Sequence, residues 1–478
     1  MKTEKQITGI CTFLLGSFGT LYANNVSDVK GAERKDNINI LLFLIDDLRP
    51  ELGSFGRNYI YSPNIDELAN EGVAFTNAYC QVPVSGATRA SLLSGIRPSK
   101  DRFVQYHTWL EKDCPQAIPM SEYFKQNGYE TISYGKVFHN YADCNDSWTE
   151  KWSPSVKHWR DYQIEENMKK QLETKHGPAY ERANVPDDAY IDGRVADRTI
   201  NKIKELASNK KPFFMAVGFV KPHLPFNAPE KYWAMYDKKD ISLPENYRNM
   251  PENSPKKAWH GWHELRDYDG IPQEGNLTDE QALTLRHGYY ACVSYTDAQI
   301  GKVMKALKDS GLEDNTIVVL IGDHGWSLGE HSLWCKHSTF KNCTNPPMII
   351  KLPKSQVKGI SDALVEYVDI YPTLCDYTGL KQLPQLHGKS LRPVLENLSI
   401  DFKDAVFSRY IDAESVKTKR YQYTEWYDKE GKIVARMLYD HYLDERENIN
   451  VSELKEYNDV VLELSSKLED NRKNSLLK

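Results

Sequence analysis

From residue 38 onward the chain repeats one pattern: a short apolar run, a charged pair or turn, then a polar stretch with helical spacing. Ile38 to Ile45 is almost wholly apolar, the composition of a strand covered on both faces in a parallel sheet. Phe213 to Phe219 and Thr316 to Ile321 are built alike, Glu130 to Tyr134 is a shorter strand, and Met348 to Leu352 is a further apolar segment. Between them the spacing predicts helices at Asn64 to Asn70 after Ser62-Pro63, at Met120 to Gln126 before Asn127-Gly128, and at Asp188 to Leu206. A long helix is predicted from Thr278 to Asp309, ending at Ser310-Gly311, and another from Ile370 to Tyr377. This alternation predicts an α/β fold with a large, mainly parallel sheet flanked by helices. A Pro-, Trp- and Lys-rich insertion runs from about 222 to 275. After Leu395 the pattern changes to short strands (Ala405 to Arg409, Arg420 to Trp426, Ile433 to Leu438) and a helix from Ser452 to about Leu468, which predicts a smaller α+β subdomain.

Composition narrows the class. The chain has 478 residues, 40% hydrophobic and 11% aromatic, ample for a large core. A net charge of −6 gives no footprint for nucleic acid, so an anionic substrate must meet a local cluster of Lys, Arg and His. Lys2 and Lys5 precede the apolar stretch Ile10 to Tyr22, which ends in Leu21-Tyr22-Ala23. That reads as a signal peptide over residues 1–23, followed by a flexible leader over 24–36, a main domain over 37–395 and a C-terminal subdomain over 396–478. Export to the periplasm is expected, with secretion or a lipid anchor at Cys11 as alternatives. No later run is long and apolar enough to span a membrane. Outside the signal there are seven cysteines and no CxxC pair, so one or two disulfides beside buried free thiols are expected, and thiolate metal sites are not.

The polar residues that punctuate the pattern fall at strand ends. Asp46-Asp47 closes the first buried strand and Asp323-His324 closes a later one, the places where open α/β sheets hold ligands. Carboxylates gathered there suit a hard cation. Lys136 and His139 follow the strand Glu130 to Tyr134, His223 follows Phe213 to Phe219, and Lys336 lies in Trp334-Cys335-Lys336-His337. All sit on loops after strands and so can converge at one end of the sheet. Ser85-Gly86-Ala87-Thr88-Arg89 precedes the apolar run Ala90-Ser91-Leu92-Leu93 and the stop Ser94-Gly95. Either Ser85 or Thr88 caps a helix starting near Ala90, or a helix begins just after Ser85 and aims its free N–H groups at an anion.

The Ser85-to-Arg89 pentad resembles the modification signature of type I, formylglycine-dependent sulfatases, and the resemblance extends from Asn37 to about Asn450. It implies an alkaline-phosphatase-like sulfatase fold in which Ser85 becomes formylglycine, whose hydrated aldehyde is the nucleophile. An unmodified serine would be trapped as a sulfoserine, whereas the second hydroxyl of the hydrate expels sulfate. By the same resemblance Asp46, Asp47, Asp323, His324 and modified Ser85 surround one calcium ion. Arg89 pairs with the nucleophile, and Lys136 and Lys336 neutralise the sulfate. His223, with Lys336, serves as the acid, and His139 assists the hydrate. Lys136-x-x-His139, His324, Lys221-Pro222-His223-Leu224-Pro225-Phe226 and Asp323 to His331 look closest to the iduronate-2-sulfatase branch. That implies an exolytic enzyme for 2-O-sulfated, including unsaturated, uronic acids of heparin, heparan, chondroitin or dermatan oligosaccharides, with Trp326 lining the sugar pocket or packing in the core. Ala87 and Thr88 stand where the signature has Pro and Ser, and a Ser at its head implies an oxygen-independent maturating enzyme as partner. The competing readings are a phosphatase or phosphodiesterase of the alkaline phosphatase superfamily, a sulfatase of other positional specificity, and a non-catalytic carbohydrate-binding relative.

Overall fold

The apolar run after residue 38 forms β1 (Asn39–Ile45), buried along its whole length, near the middle of an eight-stranded sheet. The other strands of that sheet are β2 (Val73–Phe75), β3 (Glu130–Gly135), β4 (Glu150–Trp152), β5 (Phe213–Phe219), β6 (Thr316–Gly322), β7 (Met348–Lys351) and β8 (Gly359–Ser361). Their order is β8-β2-β7-β6-β1-β5-β3-β4. β1 pairs in parallel with β5 and β6, and β3 in parallel with β5 and β4, while β7 runs antiparallel to both its neighbours. The mainly parallel α/β sheet expected from the apolar runs is the one found. This computed structural model describes residues 38–154, 159–209 and 211–476, so the signal and leader expected over residues 1–36 lie outside the described residues.

The period of two along β1 feeds two cores. Leu41, Phe43 and Ile45 join one apolar cluster with Val195 and Ile300, and Ile40, Leu42 and Leu44 join another with Leu92 and Leu374. The helices that cover these faces include α1 (Pro63–Glu71), α2 (Ser85–Ser94), α3 (Met120–Gln126), α4 (Ile191–Leu206), α5 (Asp279–Asp309) and α6 (Ile370–Thr378). α5 opens with a capping box in which Thr278 and Gln281 satisfy each other's backbone N–H. α2 starts at Ser85 itself, not near Ala90. Its N-cap is Val84, with no side-chain cap, and the Thr88 hydroxyl instead donates to the Asp323 carbonyl at 3.1 Å.

The C-terminal sheet is a four-stranded antiparallel meander of β9 (Val406–Tyr410), β10 (Ala413–Lys417), β11 (Tyr421–Tyr427) and β12 (Ile433–Asp440). Sequence reading gave three strands, because Ala-Glu-Ser-Val-Lys carries only Ala413 and Val416 as apolar positions. α7 (Asn458–Leu476) begins and ends later than expected, and packs Val461, Leu464 and Leu468 on Val416, Tyr423 and Leu438. Both sheets belong to one compact unit, Lys35–Lys478. The expected disulfides are not formed: Cys80, Cys114, Cys144, Cys292, Cys335, Cys343 and Cys375 are all free and buried. Six of them pack in the apolar clusters, Cys343 lies against the Ser327 and Ser338 hydroxyls, and burial pushes Cys292 up to about 12, in a core large enough to need no covalent staples.

Candidate active site

The strand ends create the site. Alternation along β1 would send Asp46 and Asp47 to opposite faces, but Asp47 takes a left-handed conformation, φ 60°, which Asp tolerates better than most residues. The turn lets both carboxylates meet the end of β6. There the Asp47 N–H donates to Asp323 Oδ1 at 3.1 Å. Asp46, Asp47, Asp323 and His324 each offer a ligand atom within 4.8 Å of the others, and all four are buried. His324 presents Nδ1 to the Gly325 carbonyl at 3.0 Å, so that nitrogen carries the proton and Nε2 keeps its lone pair toward the cluster.

α2 brings the serine to this cluster. Ser85 Oγ donates to Asp46 Oδ1 at 2.9 Å and lies 3.1 Å from His324 Nε2. The next residue must be small, since a Cβ on Gly86 would fall 1.9 Å from the Tyr106 carbonyl oxygen. One turn on, Arg89 is fully buried, with Nε on Asp323 Oδ2 at 2.9 Å, an outer nitrogen 3.5 Å from Asp46 Oδ1, and another bond to the Val137 carbonyl at 3.0 Å. Leaving those carboxylates without it would cost about 3–5 kcal/mol. Lys136 leaves β3 at Gly135, where the chain has φ 72° and closely approaches Gly218, and it pairs with Asp46 Oδ2. Lys336 Nζ lies 3.1 Å from Asp47 Oδ1 and 2.8 Å from Glu264 Oε1.

Charge sets the protonation states. Burial works against Asp46, but Lys136, His223, Arg89 and Lys336 together hold it well below the usual carboxylate range. Burial and the Asp46 charge raise Asp323 to about 6. Three carboxylates this close and this buried repel one another, which a divalent cation would relieve. Their oxygens, the Ser85 oxygen and the His324 nitrogen fit such an ion. Burial, then Lys336, brings His324 down to about 3, and burial, then Lys136, does the same to His139. Both are therefore neutral at physiological pH, and His139 Nδ1 is buried with no hydrogen-bond partner. His223 is held below its ordinary value, by burial first and then by Lys336, against the opposing pull of Asp46 and Glu264. Its two ring nitrogens both face oxygens, Leu224 O at 2.5 Å and Glu264 Oε1 at 2.9 Å, the arrangement of a proton donor.

Ser85, Lys136, His139, His223 and Lys336 line one cavity of about 790 Å³. Asp46, Asp47, Arg89, Asp323 and His324 lie beneath it, completely or almost completely buried. Trp326 does not line the cavity. It is 1% exposed and packs edge-on to Phe226, with Lys336 Nζ 5.0 Å from its ring centroid, so it supports that lysine. Sequence reading missed Glu264, which bridges His223 and Lys336, and missed His260, His337 and Tyr410, which line the same cavity. His337 had a signal in its neighbour Lys336. Glu264 and His260 had none, being scattered polar residues in an insertion, and Tyr410 arrives from the C-terminal sheet.

Comparison with known proteins agrees with this geometry. The sulfatase family model matches residues 38–380, and that of the N-sulphoglucosamine sulphohydrolase C-terminal region matches residues 329–474. The chain is 32% identical over 412 residues to iduronate 2-sulfatase of Mus musculus, covering 78% of this chain and 74% of that one. To iduronate 2-sulfatase of Homo sapiens it is 30% identical over 398 residues, 75% of this chain and 72% of that one. Its fold is similar to that of the phosphonate monoester hydrolase of Agrobacterium radiobacter, TM-score 0.75 at 23% identity, over 92% of this chain and 96% of the other. Because the family match runs through every residue of the cluster from Asp46 to Lys336, the chain belongs to the sulfatase family.

Proposed function

We propose that the protein is an exported, periplasmic sulfatase that removes the 2-O-sulfate from saturated or unsaturated uronic acids at the non-reducing end of glycosaminoglycan oligosaccharides, of heparin, heparan or chondroitin/dermatan type. The observation that carries the reading is Ser85 at the first position of α2, its oxygen between the buried acidic cluster and a cavity lined by Lys136, His139, His223 and Lys336. The 2-O preference is supported by the two iduronate 2-sulfatase relatives and by the Lys136-x-x-His139 and Asp323-His324 patterns. Asp46, Asp47, Asp323, His324 and Ser85 would hold one Ca2+. A maturating enzyme would oxidise Ser85 to formylglycine. When bound, the ion supplies charge stabilisation at the nucleophile, and the aldehyde hydrate supplies a nucleophile that releases sulfate without a trapped ester.

The chain's own residues do the rest. The N-terminus of α2 and the ammonium groups of Lys136 and Lys336 face the sulfate in a pocket partly shut off from water, where their attraction is strongest. Arg89 fixes Asp323 and Asp46 so that the ligand atoms keep their spacing. A sugar alkoxide is a poor leaving group, and His223, holding a proton at Nε2 against Glu264, delivers it to the departing oxygen. His139, neutral and with a free Nδ1, accepts a proton on the nucleophile's side.

The test is sulfate release from an unsaturated 2-O-sulfated disaccharide, together with the peptide mass around Ser85 in protein from its native host. Loss of two hydrogens at Ser85 with release from the 2-position is expected. Release from the 6-position but never the 2-position would overturn the positional reading. Plain Ser85 that still cleaves phosphate or phosphonate esters would favour the second reading, an ester hydrolase of the kind whose fold this chain shares.

A further inference from the structure

A 2-O-sulfated uronic acid carries two negative charges, the sulfate and the carboxylate on C5, and the groups described so far answer only the first. Among the described residues lining the cavity, the permanent cations are Lys136, Lys336 and Arg160. Lys136 is tied to Asp46, and Lys336 to Asp47 and Glu264, at the reacting end. Arg160 stands apart from that cluster. Its neighbour Trp159 lies edge-on to His223, ring centroids 6.4 Å apart, and is 44% exposed. This places the pair beside the proton donor, on the side where the sugar departs.

The guanidinium is held ready. Its carbon lies 4.5 Å from the Tyr268 ring centroid and 5.4 Å from that of Trp159, and Trp159 Nε1 donates to the Tyr268 hydroxyl at 3.4 Å. One terminal nitrogen donates to the Lys175 carbonyl at 2.6 Å and the other pairs with Asp267. Of the five N–H donors an arginine carries, these bonds use two and a further contact runs to the Tyr268 hydroxyl, while Nε, which has no hydrogen-bond partner among the described residues, is buried against the protein and does not open on the cavity. Asp267 does not cancel the charge completely: it is itself 49% exposed and shares its carboxylate with His176 at 3.3 Å. A planar guanidinium clamped on aromatic rings, its side chain 10% exposed and its terminal nitrogens not fully used by these bonds, is suited to carboxylate recognition.

Resting on the uronate reading above, we propose that Arg160 is the specificity residue that binds the substrate's carboxylate, and that Trp159 is the face on which its sugar ring rests. The experiment compares kcat/KM for a 2-O-sulfated uronate disaccharide with that for its carboxyl-reduced counterpart, in wild type, Arg160→Gln and Arg160→Lys. Wild type should prefer the carboxylate by about 30-fold or more. Arg160→Gln should abolish most of that preference, and Arg160→Lys should retain only part of it, because an ammonium keeps the charge but loses the fork. The ratio is read within each protein, so a general loss of activity does not affect it. The wild-type comparison needs no variant should Arg160→Gln fold poorly. A wild type that ignores the carboxyl group, or an Arg160→Gln protein with the wild-type ratio, overturns the assignment. A wild type that releases no sulfate from either disaccharide refutes the uronate reading itself.

Discussion

The two sides of the cavity are made in different ways. The floor is built from the ends of β1 and β6 and the head of α2, and its carboxylates, imidazole and guanidinium are completely or almost completely buried. Each of those groups is oriented by at least one bond to another member of the set or to the backbone beneath it. The rim is assembled from the insertion (Glu264, His260), from Trp159 and Arg160, from His337, and from Tyr410 on the C-terminal sheet. The floor can position an ion and a nucleophile to a fraction of an ångström because parallel strands fix where it sits. The rim gathers residues distant in sequence, and its members are more exposed, as Trp159 shows. On the function proposed above, chemistry common to a family would reside in the first and choice of substrate in the second.

Substitutions can break that division. Ser85→Ala should reduce sulfate release by about 10⁴-fold or more while leaving the fold intact, since nothing else in the floor can replace the nucleophile; a residual rate above that would move the chemistry off Ser85. Asp323→Asn should lower turnover more than about 100-fold. If calcium is the ion, it should raise the melting temperature of the chelated wild type, a stabilisation of about 2.7 kcal/mol at a hundredfold excess over Kd, and Asp323→Asn should abolish that rise. A variant still stabilised by calcium would place the ion elsewhere. Glu264→Gln, on the rim but bonded to His223 and Lys336, should lower kcat by about 30-fold with KM little changed. If KM alone rises, Glu264 is a substrate contact and the division must be redrawn. Trp159→Ala should have the smallest effect, raising KM about fivefold for a disaccharide, and less for a small aryl sulfate that has no sugar ring to seat.

Much of the floor could be read without coordinates. Asp46-Asp47 and Asp323-His324 close runs so apolar that they had to be buried strands, and the pentad at Ser85 carries a recognisable order. The start of α2 was legible only in part: Thr88 and Ser85 both resemble caps, and the choice depends on the Asp323 carbonyl, 235 residues away. Trp326 illustrates the limit of reading a motif, for its place next to the cluster does not say which way the ring turns. The short edge strands β4 and β8, and the inner strand β10, have too few apolar positions to signal themselves, and the cysteines gave no sign that the core would absorb all seven described thiols.

The sequence by itself determined the alternation of buried strands and helices, and the carboxylates and basic residues at strand ends. These follow from local composition, because burial on both faces demands unbroken apolar runs and leaves polar residues only at their ends. The tertiary structure alone decided that Asp47 turns back toward Asp323, that Glu264 joins His223 to Lys336, and that Arg160 meets the cavity between two aromatic rings. Those are contacts between side chains far apart in the chain, and their partners are set by how the insertion and the C-terminal sheet pack around the strand ends, which no local pattern encodes.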